Sequence, residues 1–409
     1  MPLTAEDMRR FFVLVVAVGP FTAARAQAVP LSRAQAVQDA VARSPRSGLL
    51  VADTATTWAQ LLSARALPNP TLSASYSKST PTYHVTADYP IDYLWLRGTR
   101  VQVAQLSRDA ARYRYTYGRA IIALDADTTY TRALAGAART RLSVRTAQDT
   151  DSLRRMAVAR RNAGDASELD VQLATVNAAQ QANVAASDSL TALSTVLDLQ
   201  AILGLPTDRV VITLTDSLAE PAADAIVAQS GSSLPVVAAE ASLESALLAT
   251  RLQRRSQWSG AGFMFGFETG DPGGTGNAIL PTFGVSLPLP FLDRNRGAIA
   301  LANAERQRAE WTLALARVET QLSIAHANRE RLNALARIAR DRITVAAANQ
   351  VATMSLTAYR EGAMALPNVL EAQRTAREVL AQYINDLAAA WIATAALRVL
   401  SLPSTGHPQ

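Results

Sequence analysis

The residues able to do chemistry gather at two glycine turns. Asp165, Glu168 and Asp170 follow Gly164, while Glu361 precedes Gly362 and Glu371 lies shortly beyond it. Carboxylates this close to a helix start have two uses. They accept hydrogen bonds from unpaired backbone N–H groups and complement the helix dipole, or they present charge to something passing by. Both readings stay open on sequence alone. Bond-making chemistry finds no support. His84, His326 and His407 are isolated, without the His or Cys spacing of a metal site, and the six methionines form no cluster for a soft metal. No G-x-S-x-G turn presents a nucleophile, and no glycine loop ending in Lys-Ser/Thr cradles a phosphate. The expectation is a protein that is not an enzyme and uses no cofactor or metal.

The elements that position these turns come in two copies. Arg97-Gly98 recurs as Arg296-Gly297, Gly164 as Gly362, and Leu205-Pro206 as Leu402-Pro403, an offset of about 198 residues. A repeat of that length governs the architecture before any local assignment. Each copy reads as helix, two short alternating segments, a very long helix, a glycine turn and another long helix. The first copy is expected over 27–206, with a hairpin at 71–95 and long helices at 98–162 and 167–204. The second is expected over 235–403, with a hairpin at 259–291 and helices at 297–361 and 366–402. A linker at 207–234 joins them, and a tail follows at 404–409.

Both hairpins alternate with period two, the signal of strands. Leu72, Ala74 and Tyr76 oppose Thr71, Ser73, Ser75 and Ser77; Tyr83, Val85, Ala87 and Tyr89 oppose His84, Thr86 and Asp88. In the second copy Phe263, Phe265 and Phe267 share a face, a glycine-rich turn spans 271–276, and Phe283 and Val285 then alternate with Thr282, Gly284 and Ser286. The apolar faces either pack on a core or meet lipid. Beyond the first 26 residues every phenylalanine falls between Phe263 and Phe291, which favours an apolar band with aromatic borders. On that reading Tyr83, Val85, Phe263, Phe265, Phe267 and Phe283 face lipid, and His84, Thr86, Asp88, Thr282 and Ser286 face a lumen. Four strands cannot close a barrel, so several chains must share one.

The helices are too long for a compact domain. From Gly98 to Asn162 there is no proline, and only Gly118 and Gly136 offer an interruption. At 1.5 Å per residue each such stretch reaches about 100 Å and must pair along its length. Leu366, Val369, Gln373, Ala376, Leu380, Tyr383, Leu387, Ala390, Thr394 and Leu397 step 3-4-3-4 down one face. In the first copy Val171, Thr175, Ala178, Ala182, Ala185, Ser189, Ala192, Val196 and Leu199 do the same with smaller residues. Heptad stepping gives coiled-coil packing, here of long antiparallel helical hairpins, yet it also fits an ordinary bundle, a fibrous stalk or a periplasmic adaptor hairpin.

Composition narrows the setting. The chain of 409 residues is 49% hydrophobic and 6% aromatic, with a formal net charge of +6. All but Lys78 of its 40 basic residues are arginines, scattered along helical stretches without stacking aromatics, so no nucleic-acid surface is expected. Arg9-Arg10, the apolar run from Phe11 to Gly19 and Ala24-Arg25-Ala26 predict a secretory signal peptide over 1–26. There is no cysteine, hence no disulfide and no thiol to carry a lipid.

Two stretches carry a family resemblance. They are Leu287-Pro288-Leu289-Pro290-Phe291-Leu292-Asp293-Arg294-Asn295-Arg296-Gly297, and Tyr359-Arg360-Glu361-Gly362 followed by Val369-Leu370-Glu371-Ala372. With the duplicated helix–hairpin–helix order, they resemble the TolC family of outer-membrane efflux channels, over Leu31 to Pro403. The first stretch is most similar to the branch serving cobalt–zinc–cadmium exporters. The resemblance implies a mainly α fold with a small β part, assembled as a homotrimer. Three chains would form one twelve-stranded barrel in outer-membrane lipid, continued by a twelve-helix periplasmic tunnel with an equatorial belt near 211–234. It implies a passive exit duct served by an inner-membrane pump of RND or ABC type. A periplasmic adaptor would dock at the tips, marked by Gly164, Asp165, Glu361 and Gly362. Acidic residues after the second tip line the family's closed aperture. Glu371 takes one such position, Asn368 departs at the other, and Asp170 stands at the matching point of the first hairpin.

Overall fold

A computed structural model describes residues 29–79, 81–222, 233–270 and 279–402. The expected signal peptide, the glycine-rich turn of the second hairpin and the 404–409 tail lie outside the described residues. The chain opens with a short strand β1 (Val29–Leu31) and helix α1 (Arg33–Arg43), whose cap Ser32 exchanges hydrogen bonds with Gln35 in a capping box. Helix α2 (Pro45–Arg65) follows at once, because Pro45 cannot continue α1 but suits a first helical position. One leading helix was expected in each copy; the first copy has two.

Strands β2 (Thr71–Tyr76) and β3 (Tyr83–Pro90) come next, then helix α3 (Tyr93–Ala163), 71 residues long. It starts earlier than the expected 98, so Tyr93 and Trp95 belong to its first turns rather than to the hairpin. It also passes unbroken through both glycines. A Cβ at Gly136 would sit 3.2 Å from the backbone Cα of Ala192, and one at Gly118 would sit 2.7 Å from the methyl carbons of Leu50. These glycines mark places where neighbouring helices come close.

Helix α4 (Glu168–Ile202) returns beside α3, and strand β4 (Ile212–Leu214) pairs in parallel with β1. This pair escaped the sequence reading because three residues carry no period. Gln200, fully buried, shapes the turn after α4. Its Nε2 donates to the Arg209 carbonyl at 2.8 Å, and its Oε1 accepts from Val211 N–H at 2.8 Å. The second copy runs through α5 (Leu234–Arg255), β5 (Gly262–Thr269), β6 (Leu280–Ser286), α6 (Arg296–Arg360) and α7 (Leu366–Leu400).

The two hairpins join into one antiparallel sheet in the order β2-β3-β5-β6. Among the described residues four separate cores hold the helices, the smallest around Val236, Ala239 and Leu313 between α5 and α6. One buries Tyr130, Ile122, Leu199 and Leu203 against α1, β1 and β4; one gathers Leu153, Val171, Tyr359, Leu366 and Val369 at the glycine turns; one lies between α6 and α7 around Ile338 and Leu387. The α7 seam is as expected, each residue buried or half-buried. The α4 seam is corrected. Val171, Ala178, Ala185, Ala192 and Leu199 keep their places, but Thr175, Ala182 and Ser189 are exposed, and Ala174 and Gln181 are buried instead. Both phases step by three and four, and small residues on either side leave sequence unable to choose.

Gly136→Leu should lower stability by about 1–3 kcal/mol through overpacking against α4. Gly98→Ala, whose Cβ would meet nothing within 4 Å, should be neutral or stabilising by up to about 1 kcal/mol. Denaturant unfolding of the two variants beside the parent checks this.

Candidate functional site

Each glycine turn closes its helix in the same way. Gly164 has φ 90°; its N–H donates to the Arg161 carbonyl at 3.0 Å, and Asp165 N–H donates to the Arg160 carbonyl at 2.8 Å. Gly362 has φ 78°; its N–H donates to the Tyr359 carbonyl at 3.1 Å, and Ala363 N–H donates to the Ala358 carbonyl at 2.8 Å. The left-handed glycine lets the last carbonyls of α3 and α6 find donors without a Cβ clash.

The carboxylates then part company. Asp170 Oδ2 accepts from Ser167 N–H at 3.1 Å and from Ser167 Oγ at 2.8 Å, while Ser167 Oγ accepts from Asp170 N–H. This capping box starts α4, so the carboxylate of Asp170 satisfies helix donors. In the second copy Ala365 holds the cap position without a side-chain bond among the described residues, Pro367 presets the first turn, and Asn368 stands where Asp170 stands in the first. Glu371 is exposed and grips Arg374 with both oxygens, at 2.8 and 3.0 Å. Hydrogen bonding from Arg374 holds its carboxyl below the usual glutamate range. Asn368 and Glu371 share a groove of about 330 Å³ with Val351, Ser355 and Met364. Hydrogen bonds from Gln172 and then Arg161 likewise lower the carboxyl of Glu168. Asp165 and Glu361 are exposed at the extreme tips.

Two residues not singled out individually bind the tips to each other. Arg160 donates from Nη1 to the Tyr359 carbonyl at 2.7 Å, and its guanidinium lies 4.8 Å from the centre of the Tyr359 ring. Its Nη2 reaches the Asp165 carbonyl at 3.4 Å. One arginine therefore touches the end of α6, the first turn and an aromatic face together. Tyr359 is 3% exposed, and burial raises its phenol above the usual range. The Tyr-Arg-Glu-Gly wording held this signal; its partner Arg160, 199 residues away, carried none.

The sheet keeps its two faces apart. Across β3, β5 and β6, Val85 pairs Phe267, Ala87 pairs Phe265, and Phe265 pairs Phe283; Tyr89 pairs Phe263, which pairs Val285. Tyr83 follows in the same set. On the opposite face Thr86, Gly266 and Thr282 form one row, Asp88 and Met264 another, Pro90, Gly262 and Ser286 a third. His84 Nδ1 lies 3.3 Å from Glu268 Oε1, a residue the sequence reading had passed over. Within one chain the apolar face is bare: Phe283 is 81% exposed and Leu72 74%. Among the described residues, strands β2 and β6 each leave an edge without a partner. Among the described residues no group of three His, Cys, Asp or Glu is placed to hold a metal, and no helix is long and apolar enough to cross a membrane.

No family model matches the chain, and no curated protein matches it. Solved structures do. The chain is similar to the transmembrane-channel protein CusC, with a TM-score of 0.74 at 13% identity over 91% of this chain and 92% of that one. The outer membrane protein VceC of Vibrio cholerae gives 0.73 at 17%, covering 91% and 96%. The Campylobacter jejuni outer membrane channel CmeC gives 0.74 at 13%, covering 90% and 85%. The fold is that of outer-membrane channels. Within that class it is the TolC-type fold that the two sequence stretches resemble.

Arg160→Ala should loosen both tips at once. Backbone hydrogen exchange should quicken around Gly164 and Gly362 alike, with the sheet unchanged; an effect confined to the first turn would show that Arg160 does not couple them.

Proposed function

We propose that the protein is the passive exit duct of a tripartite efflux system, assembled as a trimer in the outer membrane. The observation that carries this reading is the four-stranded sheet. Its phenylalanine face is bare, both its edges are open, and it stands on helices of about 100 Å. Open strand edges are not tolerated in lipid, and three copies would close them into a twelve-stranded barrel. Tyr83, Val85, Phe263, Phe265, Phe267 and Phe283 would then meet lipid, and His84, Thr86, Asp88, Thr282 and Ser286 would line the lumen. The signal peptide at 1–26 would direct export, and the helical hairpins would stand in the periplasm.

At the far end, the tips around Gly164, Asp165, Glu361 and Gly362 would receive a periplasmic adaptor bound to an inner-membrane pump of RND or ABC type. Glu371, Asn368 and Asp170 are proposed to ring the aperture, where repeated carboxylates in a narrow neck favour cations. The conduit does no bond chemistry, and selection of cargo, heavy-metal ions on the branch reading, rests with the pump. An adaptor or stalk accounts for the helices but leaves the exposed phenylalanine face without a purpose.

Cross-linking and mass measurement in detergent should give a trimer; a stable water-soluble monomer would end this reading. Arg in place of Phe265 or Val85 should impair assembly, since a lipid-facing charge near the midplane costs about 2–4 kcal/mol. Arg in place of Thr86 or Thr282 should leave assembly intact and change conductance.

Glu371→Gln combined with Asp170→Asn, which keeps an oxygen for the Ser167 cap, should weaken cation selectivity in planar bilayers without loss of trimer. In the parent, Arg374 lowers the carboxyl of Glu371, so its charge, and selectivity with it, should be lost at lower pH than for an unpaired glutamate. Unchanged selectivity in the double variant would place the aperture elsewhere.

A further inference from the structure

A groove of about 750 Å³ runs between the two helical hairpins behind the tips, with α3 on one side and α6 and α7 on the other. Its floor is apolar. Leu153, Ala352 and Ala376 are buried there, and Gln373 Nε2 donates to the Ala352 carbonyl at 3.3 Å. Its walls are basic. Arg141 and Arg145 come from successive turns of α3, Arg360 from the last turn of α6, and Arg377 from α7. Among the described residues Asp149 is the one acid of the lining.

Neighbouring arginines find partners. Arg154 and Arg155 pair with Asp151, Arg161 with Glu168, and Arg374 with Glu371 and Glu378. Among the described residues the four arginines of the groove form no ion pair or hydrogen bond, and neither does Asp149. Arg377 is half-buried. Burial lowers its guanidinium, Glu378 opposing the shift and Arg374 adding to it. The adjacent Glu378 gives its carboxylate to Arg374 instead. A cation drawn partly out of water without a paired anion lacks its usual compensation.

The internal duplication shows that the frame does not require this charge. The offset of 198 residues that matches Gly164 to Gly362 also matches the Arg139–Asp188 ion pair to Arg337–Asp386. At that offset Arg141 and Arg145 correspond to Ala339 and Ile343, and Arg360 and Arg377 to Asn162 and Ala179. None of the four counterparts is charged. The basic groove is therefore confined to one of two equivalent helix junctions.

We propose that this groove binds a small, extended polyanion, a molecule carrying several phosphate or carboxylate groups, and that the bound anion fastens α3 to α7. The planar fork of a guanidinium takes two oxygens of either group at once. An apolar floor lowers the local dielectric and strengthens the attraction. The volume falls within the roughly 300–1,000 Å³ of small-ligand sites. Because the arginines follow one another along the helices, an extended anion meets more of them than a single ion can. The groove lies within one chain, so the site stands independently of the duct reading.

Calorimetric titration of the full chain in detergent, at about 0.15 M salt so that loose surface attraction is screened, should show saturable binding of tripolyphosphate or citrate. One site per chain is expected, and the two probes tell a phosphate source from a carboxylate source. Arg145→Gln with Arg377→Gln should weaken binding about tenfold or more. Arg154→Gln with Arg155→Gln removes as much charge outside the groove and should bind as the parent does. In the parent, added probe should slow hydrogen exchange on both 141–156 and 373–380. Arg141→Gln with Arg145→Gln, confined to exposed positions of α3, gives the same test if loss of the half-buried Arg377 impairs folding. Failure of the parent to bind either probe, or equal weakening in the variant outside the groove, would overturn the site. Slowing confined to α3 would overturn the bridge to α7.

Discussion

Backbone hydrogen bonding left open along two strand edges governs the rest of this structure. The sheet β2-β3-β5-β6 satisfies its interior strands and leaves a row of N–H and C=O groups along each outer edge. Water can satisfy such edges, but the same sheet bares Phe265, Phe283 and Leu72, which water disfavours. An apolar surrounding would cover the phenylalanines and worsen the edges. Further strands against β2 and β6, as in the proposed trimer, would satisfy the edges and leave the phenylalanine face to an apolar surrounding. The helices inherit the geometry, since the sheet joins hairpins from both copies and so commits their long helices to run side by side.

The duplication supplies economy, and its departures mark specialisation. Both glycine turns close with the same pair of backbone bonds, and both hairpins keep an arginine–aspartate pair in mid-seam. Differences then stand out against a shared frame. Ser167 with Asp170 caps α4, whereas Ala365 with Pro367 and Asn368 starts α7. The carboxylate that one copy spends on its helix start is absent from the other. Glu371 is free of capping and held by Arg374 on the surface instead.

Much of the fold was legible because it rests on period. Long proline-free stretches became α3 and α6, and two-residue alternation became four strands whose faces the register kept as read. What failed was short or ambiguous. The β1–β4 pair had three residues per strand, and the α4 seam could slide by one residue among alanines, serines and threonines. At the tips, Gly164 and Gly362 were readable from conformational need. The use of Asp170 was not, since a capping acceptor and an aperture charge call for the same residue at the same place.

Sequence by itself determined the duplication, the alternation of faces and the positions of the turns, since each depends on residues close together along the chain. Tertiary structure decided which distant groups meet. Arg160 reaches Tyr359, β3 finds β5, and Arg337 meets Asp386 only when helices and strands far apart in sequence are laid together. Propensity and period act over a turn or two of chain. Hydrogen bonds between hairpins and the sealing of a carboxylate depend on ångström-scale distances that packing alone sets.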